Sequence, residues 1–412
     1  MDVIVVGAGV AGLACAWRAA TAGHAVTVAD PALGRGASWV AGGMLAPVTE
    51  AWPGEETLLE LGLDSLARWP EFAATLAAAA GRPPGLRTEG TLVAATGAGD
   101  RAELDALAGF LGTLGRDVER LTGRELRRRE PALGPDVRGG LAVPGDLAVD
   151  NRMLLAALWA ACERAGVRVV ECAVAAVTDG TGVTGVRWCP GPGPGPGHSP
   201  EPGRASAAGA HGAEGTGPAG DGDPRGPDLR ADAVVVAAGA WSGRLHPALD
   251  GLVRPVKGEI LRLAHRPGVL PPPSCTVRAL VDGRPVYAVP RDGGGLVLGA
   301  TQYEAGFDTA VTVAGVRDLL RDAERVLPSV AEYALVESAA GLRPGTPDNR
   351  PLIGPLGPSG LIAATGHGRN GILLAPVTAD AVVAVLDGRD APAAADPRRF
   401  TRERERAGVD QR

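Results

Sequence analysis

The sequence predicts a mixed α/β protein in which a Rossmann-like parallel-sheet domain is interleaved with a domain built on a largely antiparallel sheet. Three observations carry this. Residues 3–30 read strand, glycine-rich turn, helix, strand. Residues 256–300 are a succession of short strand-like runs. Buried-strand runs recur at VVVAAGAWS (234–242) and LIAAT (361–365), long after the first unit is complete.

The elements follow in order. VIVVG is a buried strand, VAGLACAWRAATAG an Ala-rich helix ending at Gly23, and AVTVAD a second strand. Helical patterns cover 55–80 and 100–130, with the strand LRTEGTLVAA (86–95) between them. Asn151 to Gly166 is a helix, followed by the strand VRVVE. From about Cys189 to Arg230 the chain is Gly/Pro-rich with almost nothing large and apolar, which predicts a disordered insertion at a hairpin tip. EILRL, ALVDGRPVYAVPR and GLVLGAT then predict an antiparallel sheet, and Val313–Leu327 a helix. The expected division is 1–85, 141–255 and 335–400 for the first domain, and 86–140 with 256–334 for the second.

Composition narrows the function. The 412 residues are 45% hydrophobic and 21% charged with net charge −6, ordinary globular values. The one dense basic run is Arg127-Arg128-Arg129 and the one lysine is Lys257, so nucleic acid is excluded as a main partner. Five dispersed cysteines without CxxC spacing fit a reducing compartment and no zinc knuckle; no metal is expected. Neither a leader nor a membrane span is read, so a cytoplasmic location is expected.

Gly7-Ala8-Gly9-Val10-Ala11-Gly12 matches GxGxxG after a strand and before a helix. Gly7 makes the tight turn, Gly9 admits a pyrophosphate, and Gly12 lets helix and strand pack closely. The helix N-terminus stabilises phosphate charge and Asp30 accepts ribose hydroxyls. A second match, Gly180 to Gly185, precedes VRWCPGPG, which cannot be a helix; it is read as a turn. With one such loop, NAD has no second site. FAD is longer and has to be held along its ribityl chain and ring. Gly239, at the end of VVVAAGAWS, leaves room near the pyrophosphate. GHGRNGILLAP (366–376) offers three glycines and then a helix from Ile372, whose N-terminus would stabilise a reduced flavin.

The segments VIVVGAGVAGLACAW, ASWVAGGMLAP, PVKGEILRL, VYAVPRDGGGLVLGAT, GLRPGTPDNRPLIGP and GHGRNGILLAP together resemble the glycine oxidase (ThiO) family. These are FAD-dependent amine oxidases of the D-amino-acid oxidase fold, linked to making the thiazole of thiamine. The resemblance spans most of the chain outside 189–230. It implies FAD contacts at Val10, Ala11, Asp30 and Pro31, at Ala37 and Ser38, and at Gly42, Gly43 and Met44. It adds backbone around Val174, and His367, Gly368, Arg369, Asn370, Gly371, Ile372 and Leu373. It implies that Arg343 binds a substrate carboxylate, that Tyr287 lines the same site, and that the protein is a homo-oligomer, a tetramer by family, which supplies imine to thiazole assembly. Trp39 and Val40 depart from the family's alanines, and the long insertion is absent from it.

Chemistry read from the residues agrees with that implication. Oxidising an α-amino acid removes a hydride from Cα and needs no base on carbon, and no Ser/His/Asp or Cys/His set is found near these motifs. Arg343 offers a bidentate fork to a carboxylate, or else forms a structural ion pair. Tyr287 donates to the same carboxylate, or sits in the core. Arg369 is a second cation at the cleft or a solvated one, Lys257 faces the flavin or is structural, and Met44 packs on the ring or in the core. The expected reaction is oxidation of glycine to an imine, hydrolysed to glyoxylate and ammonia, with hydrogen peroxide formed. The alternatives are a D-amino-acid or sarcosine oxidase or dehydrogenase, an NAD-dependent dehydrogenase, and a flavin-binding module without catalysis.

Overall fold

The computed structural model describes residues 1–116, 118–180, 183–189, 229–356 and 360–400. The turn at 181–182 and most of the 189–230 insertion lie outside the described residues. The strands on either side of the insertion pair with each other, Val186 opposite Leu229, so it leaves and re-enters at one place on a three-stranded antiparallel sheet.

A six-stranded sheet runs in the order Leu352–Pro355, Leu361–Thr365, Ala233–Val236, Asp2–Val6, Ala25–Ala29 and Arg168–Val170. All neighbours are parallel except the first pair. The unbroken apolar run VIVV is what a strand covered on both faces requires. Val3 and Val5 face a cluster with the helices Val10–Thr21, Glu56–Ala80, Asn151–Arg164 and Ala375–Leu386. Ile4 and Val6 face the opposite way, against Val177, Val186 and Leu249. On the helical side Trp17, Trp69 and Phe72 pack edge to face, with ring centroids 5.5 and 5.3 Å apart.

The second sheet has eight strands, in the order Ala334–Gly345, Arg254–Ala264, Gly295–Gly299, Arg284–Pro290, Thr276–Val281, Thr91–Ala95, Gly139–Val143 and Glu119–Thr122. Only Thr276–Val281 and Thr91–Ala95 are parallel neighbours. The helix Val313–Val326 packs on this sheet through Leu319, Ala323 and Val326. No helix among the described residues is long and apolar enough to cross a membrane.

Three local expectations need correction. The stretch 100–130 is not one helical region: a helix Ala98–Thr113, a strand Glu119–Thr122 and a helix Gly123–Arg129 share it. Thr122 begins the last of these with a reciprocal cap to Glu125. LRTEGTLVAA is two short strands, Leu86–Arg87 and Thr91–Ala95, broken at Gly90 with φ 79°. Residues 335–345, assigned to the first domain, run as an edge strand of the eight-stranded sheet, because their partner along its whole length is Arg254–Ala264.

Lys257 takes the structural role. Its ammonium is buried, 2.6 Å from Asp308 and 3.9 Å from the fully buried Glu259, and it does not line the central cavity. Lys257→Ala is expected to cost on the order of 3–5 kcal/mol in equilibrium urea unfolding, because it strands a buried carboxylate without its cation. A loss below about 1 kcal/mol, the size of a surface pair, would show that the pair is dispensable.

Candidate functional site

A cavity of about 1060 Å³ lies where the C-terminal ends of the parallel strands meet the face of the eight-stranded sheet. Ligands in open parallel sheets bind at this end. Its walls come from Val6 and Gly7 after the first strand, Asp30 after the second, and Ala237–Gly239 after a third. Across from them lie Gly258, Tyr287 and Gly341–Pro344 of the second sheet.

At one end stands the N-terminal glycine loop. Gly7 has φ 108°, and a Cβ there would strike the backbone of Ala237. A Cβ on Gly12 would strike the carbonyl of Gly7, so Gly12 makes the close packing the sequence predicts but does not itself line the cavity. Gly9, Val10 and Ala11 do, at the start of the helix Val10–Thr21. The Val10 amide donates to Ser38 Oγ at 3.0 Å. Asp30 accepts from the Ala8 and Ala32 amides, both at 2.7 Å, and so braces the loop beside which it lines the cavity. Pro31 and Val174 complete this end.

Ala37–Val40 forms one helical turn. The Asn151 side-chain amide donates to the Ser38 and Trp39 carbonyls at 2.8 and 2.9 Å, and Arg291 donates to the Gly42 carbonyl at 2.7 Å. These two side chains hold Ala37, Ser38, Gly42, Gly43 and Met44 along the cavity. Trp39 lies between the guanidiniums of Arg35 and Arg152, each 4.1 Å from the ring centre, and Val40 packs with Ile260 and Val297. Both departures from the family pattern are thus accommodated by the fold.

The GHGRNGILLAP segment does reach the cavity, but not as a helix from Ile372. His367, Gly368, Arg369, Gly371 and Ile372 line it within a 3₁₀ turn and the bend after it, and the α-helix starts at Ala375. Pro376, in that helix's first turn, favours a start there. Asn370 and Leu373 point away, toward Pro47 and Leu58. The Leu373 carbonyl accepts from Ser65 Oγ and Trp69 Nε1 at 2.7 and 2.9 Å. His367 is buried with Nε2 3.0 Å from Thr378 Oγ1, and burial pushes its imidazole down to about 4.

At the other end Arg343 rises from the edge strand over Gly258, whose missing Cβ leaves room for the guanidinium. Arg343 donates to the Thr301 carbonyl at 3.3 Å, and no carboxylate among the described residues lies within ion-pair distance. Tyr287 occupies the space over Gly42 and Gly299. Burial raises its phenol; Arg343 opposes that shift and Glu50 adds to it. Arg369 is not a free cation: it pairs with Glu50 at 3.4 Å and Glu55 at 2.9 Å.

The sequence reading missed Glu50, Arg278 and Asp146. Arg278, directly across from Tyr287 in strand register, pairs with Glu50 at 3.2 Å and donates to Thr49 Oγ1. Thr49 donates to the buried Asp146, which burial pushes up to about 7. The available signal was a Thr-Glu pair one residue after GGMLAP; nothing linked it to residues 146 and 278.

An FAD fits this cradle. The cavity is continuous from the glycine loop to Arg343, and at Gly239 and Gly368, both with φ 55°, a Cβ would meet no atom within 4 Å. These glycines open the middle of the cavity, where a ribityl chain and ring have to pass.

The family model described as FAD dependent oxidoreductase (DAO) matches residues 2–385. The chain is 32% identical over 414 residues to a glycine oxidase of Geobacillus kaustophilus, covering 99% of each. A crystal structure of glycine oxidase from the same organism superposes with TM-score 0.79 at 31% identity, covering 95% of each chain. The bifunctional protein ThiO/ThiG of Trichormus variabilis is 32% identical over 92% of this chain, which spans about half (51%) of that relative's length.

The His367 environment predicts a pH effect on stability. Its folded value lies below the 6.5 of an exposed imidazole, so the unfolded chain binds the proton first. Stability present above pH 6.5 is lost as pH falls toward 4, by about 2–3 kcal/mol at pH 4.5. Urea unfolding at pH 7 and 4.5 checks this: His367→Gln is expected to lose that much less than the parent on acidification, and equal losses would refute the assignment.

Proposed function

The chain belongs to the FAD-dependent oxidoreductase family, and within it we propose that the protein oxidises glycine and other small α-amino acids to the imine. The imine hydrolyses to glyoxylate and ammonia, with oxygen reduced to hydrogen peroxide. The observation that carries this reading is Arg343, a cation without a carboxylate partner among the described residues, at one end of a cavity whose other end is a dinucleotide-binding loop.

FAD, when bound, supplies the two-electron acceptor. Gly9, Val10 and Ala11 with the helix N-terminus would hold its pyrophosphate, Asp30 its ribose, and Gly42–Met44 with His367, Gly368, Arg369, Gly371 and Ile372 the ring end. The protein's own contribution to the reaction is positioning. Arg343 takes the substrate carboxylate through a charge-assisted fork, and the Tyr287 hydroxyl donates to the same group. His367 is turned onto Thr378 and is not offered as a base.

The imine is also proposed to feed thiazole assembly. In the bifunctional relatives the half that this chain matches is joined to a ThiG half, a fusion that supports a direct hand-over.

The test is anaerobic mixing of the yellow protein with glycine while following flavin absorbance, with sarcosine, D-alanine and D-proline alongside. Bleaching by glycine is expected; a background glycine rate while D-proline turns over would move the reading to a D-amino-acid oxidase. Arg343→Ala is expected to raise KM for glycine at least tenfold with FAD retained, because charged hydrogen bonds worth roughly 1.5–3 kcal/mol are lost. Unchanged kinetics would remove Arg343 from the site.

A further inference from the structure

An α-amino acid carries its amino and carboxylate groups on one carbon, so a site specific for it has to present an acceptor a few ångströms from its cation. Arg343 accounts for the carboxylate. The cavity also holds a carboxylate, Glu50, which pairs at 3.2 Å with Arg278, the residue directly across from Tyr287 in strand register. Glu50 is held from two sides: Oε1 lies 3.2 Å from Arg278 and Oε2 3.4 Å from Arg369. Each carboxylate oxygen has two lone pairs, so each keeps one for a further N–H. The side chain is 15% exposed, and it lines the cavity.

Behind it lies a support with no other evident task. Arg278 Nη1 donates to Thr49 Oγ1 at 3.2 Å, and Thr49 Oγ1 donates to Asp146 Oδ2 at 2.8 Å. Asp146 is fully buried, and its Oδ1 has no hydrogen-bond partner. A buried acid and a hydroxyl behind the wall hold Arg278, itself a lining residue, and that guanidinium in turn orients one carboxylate.

Resting on the amino-acid oxidase reading above, we propose that Glu50 recognises the substrate's amino group, accepting its hydrogen bond in the cavity where Arg343 takes the carboxylate. Thr49 and Asp146 are positioning residues that fix Arg278 and, through it, Glu50. The site then selects amino acids over the corresponding hydroxy acids by charge as well as by shape.

The experiment uses the FAD-loaded full chain, with glycine as substrate and glycolate, which keeps the carboxylate and lacks the amine, as competitor. Glu50→Gln is expected to raise KM for glycine by about tenfold or more while glycolate inhibition stays within about twofold, because only the amine loses its charged partner. Glu50→Asp is expected to recover part of the loss. Equal weakening of glycine and glycolate would overturn the inference, since it would mean that Glu50 acts only by holding Arg278 and Arg369. Unchanged constants for both ligands would overturn it as well. If the parent enzyme oxidises glycine and the variants match it, this inference alone falls; a parent bleached by no amino acid overturns the oxidase reading and this one with it.

Discussion

Charge balance at one end of the cavity decides what the rest of the molecule is for. Arg278 and Arg369 both reach that region, and both are satisfied by Glu50, with Glu55 completing Arg369. Arg343 is left with a single carbonyl contact at 3.3 Å. A partly buried guanidinium with no anion beside it among the described residues carries a desolvation penalty. The fold tolerates that imbalance because Gly258 and the edge strand give Arg343 a place to lie, and because the neighbouring charges are internally neutral.

The other constraint is backbone clearance. The turn after the first strand, the start of the first helix and the return strand approach so closely that Gly7 and Gly12 admit no side chain. Gly239 and Gly368 serve a different end: their missing side chains face open space and leave a channel. The same residue type thus closes the protein behind the cofactor and opens it in front. Between the two, Asn151 and Arg291 fasten the loop at 38–43 through its own carbonyls, so that a segment with little regular structure has a defined path.

The two sheets are built from segments that alternate along the chain, and this interleaving brings remote residues together. Tyr287 sits between Gly42 and Gly299, some 250 positions apart in one direction and a neighbouring strand in the other. The ring thus lies between a strand of the eight-stranded sheet and the loop that follows the helix Ala37–Val40.

Much of this was legible locally. The glycine loop, the buried strand VIVV, the antiparallel pairing of Ala173–Gly180 with Val183–Cys189 and the helix Val313–Val326 follow from periodicity and turn chemistry, which are properties of neighbouring residues. That Arg343 and Tyr287 would share one cavity was readable because their segments carry a family pattern. What sequence alone did not determine was which charges meet. Arg369 and Arg343 look alike as letters, yet one is paired by Glu50 and Glu55 and the other is not. Glu50, Arg278 and Asp146 lie in three separate segments, and only folding brings them within hydrogen-bond reach of one another or of Thr49. Ion pairing depends on distances between segments remote in sequence, and those distances are set by how the two sheets dock.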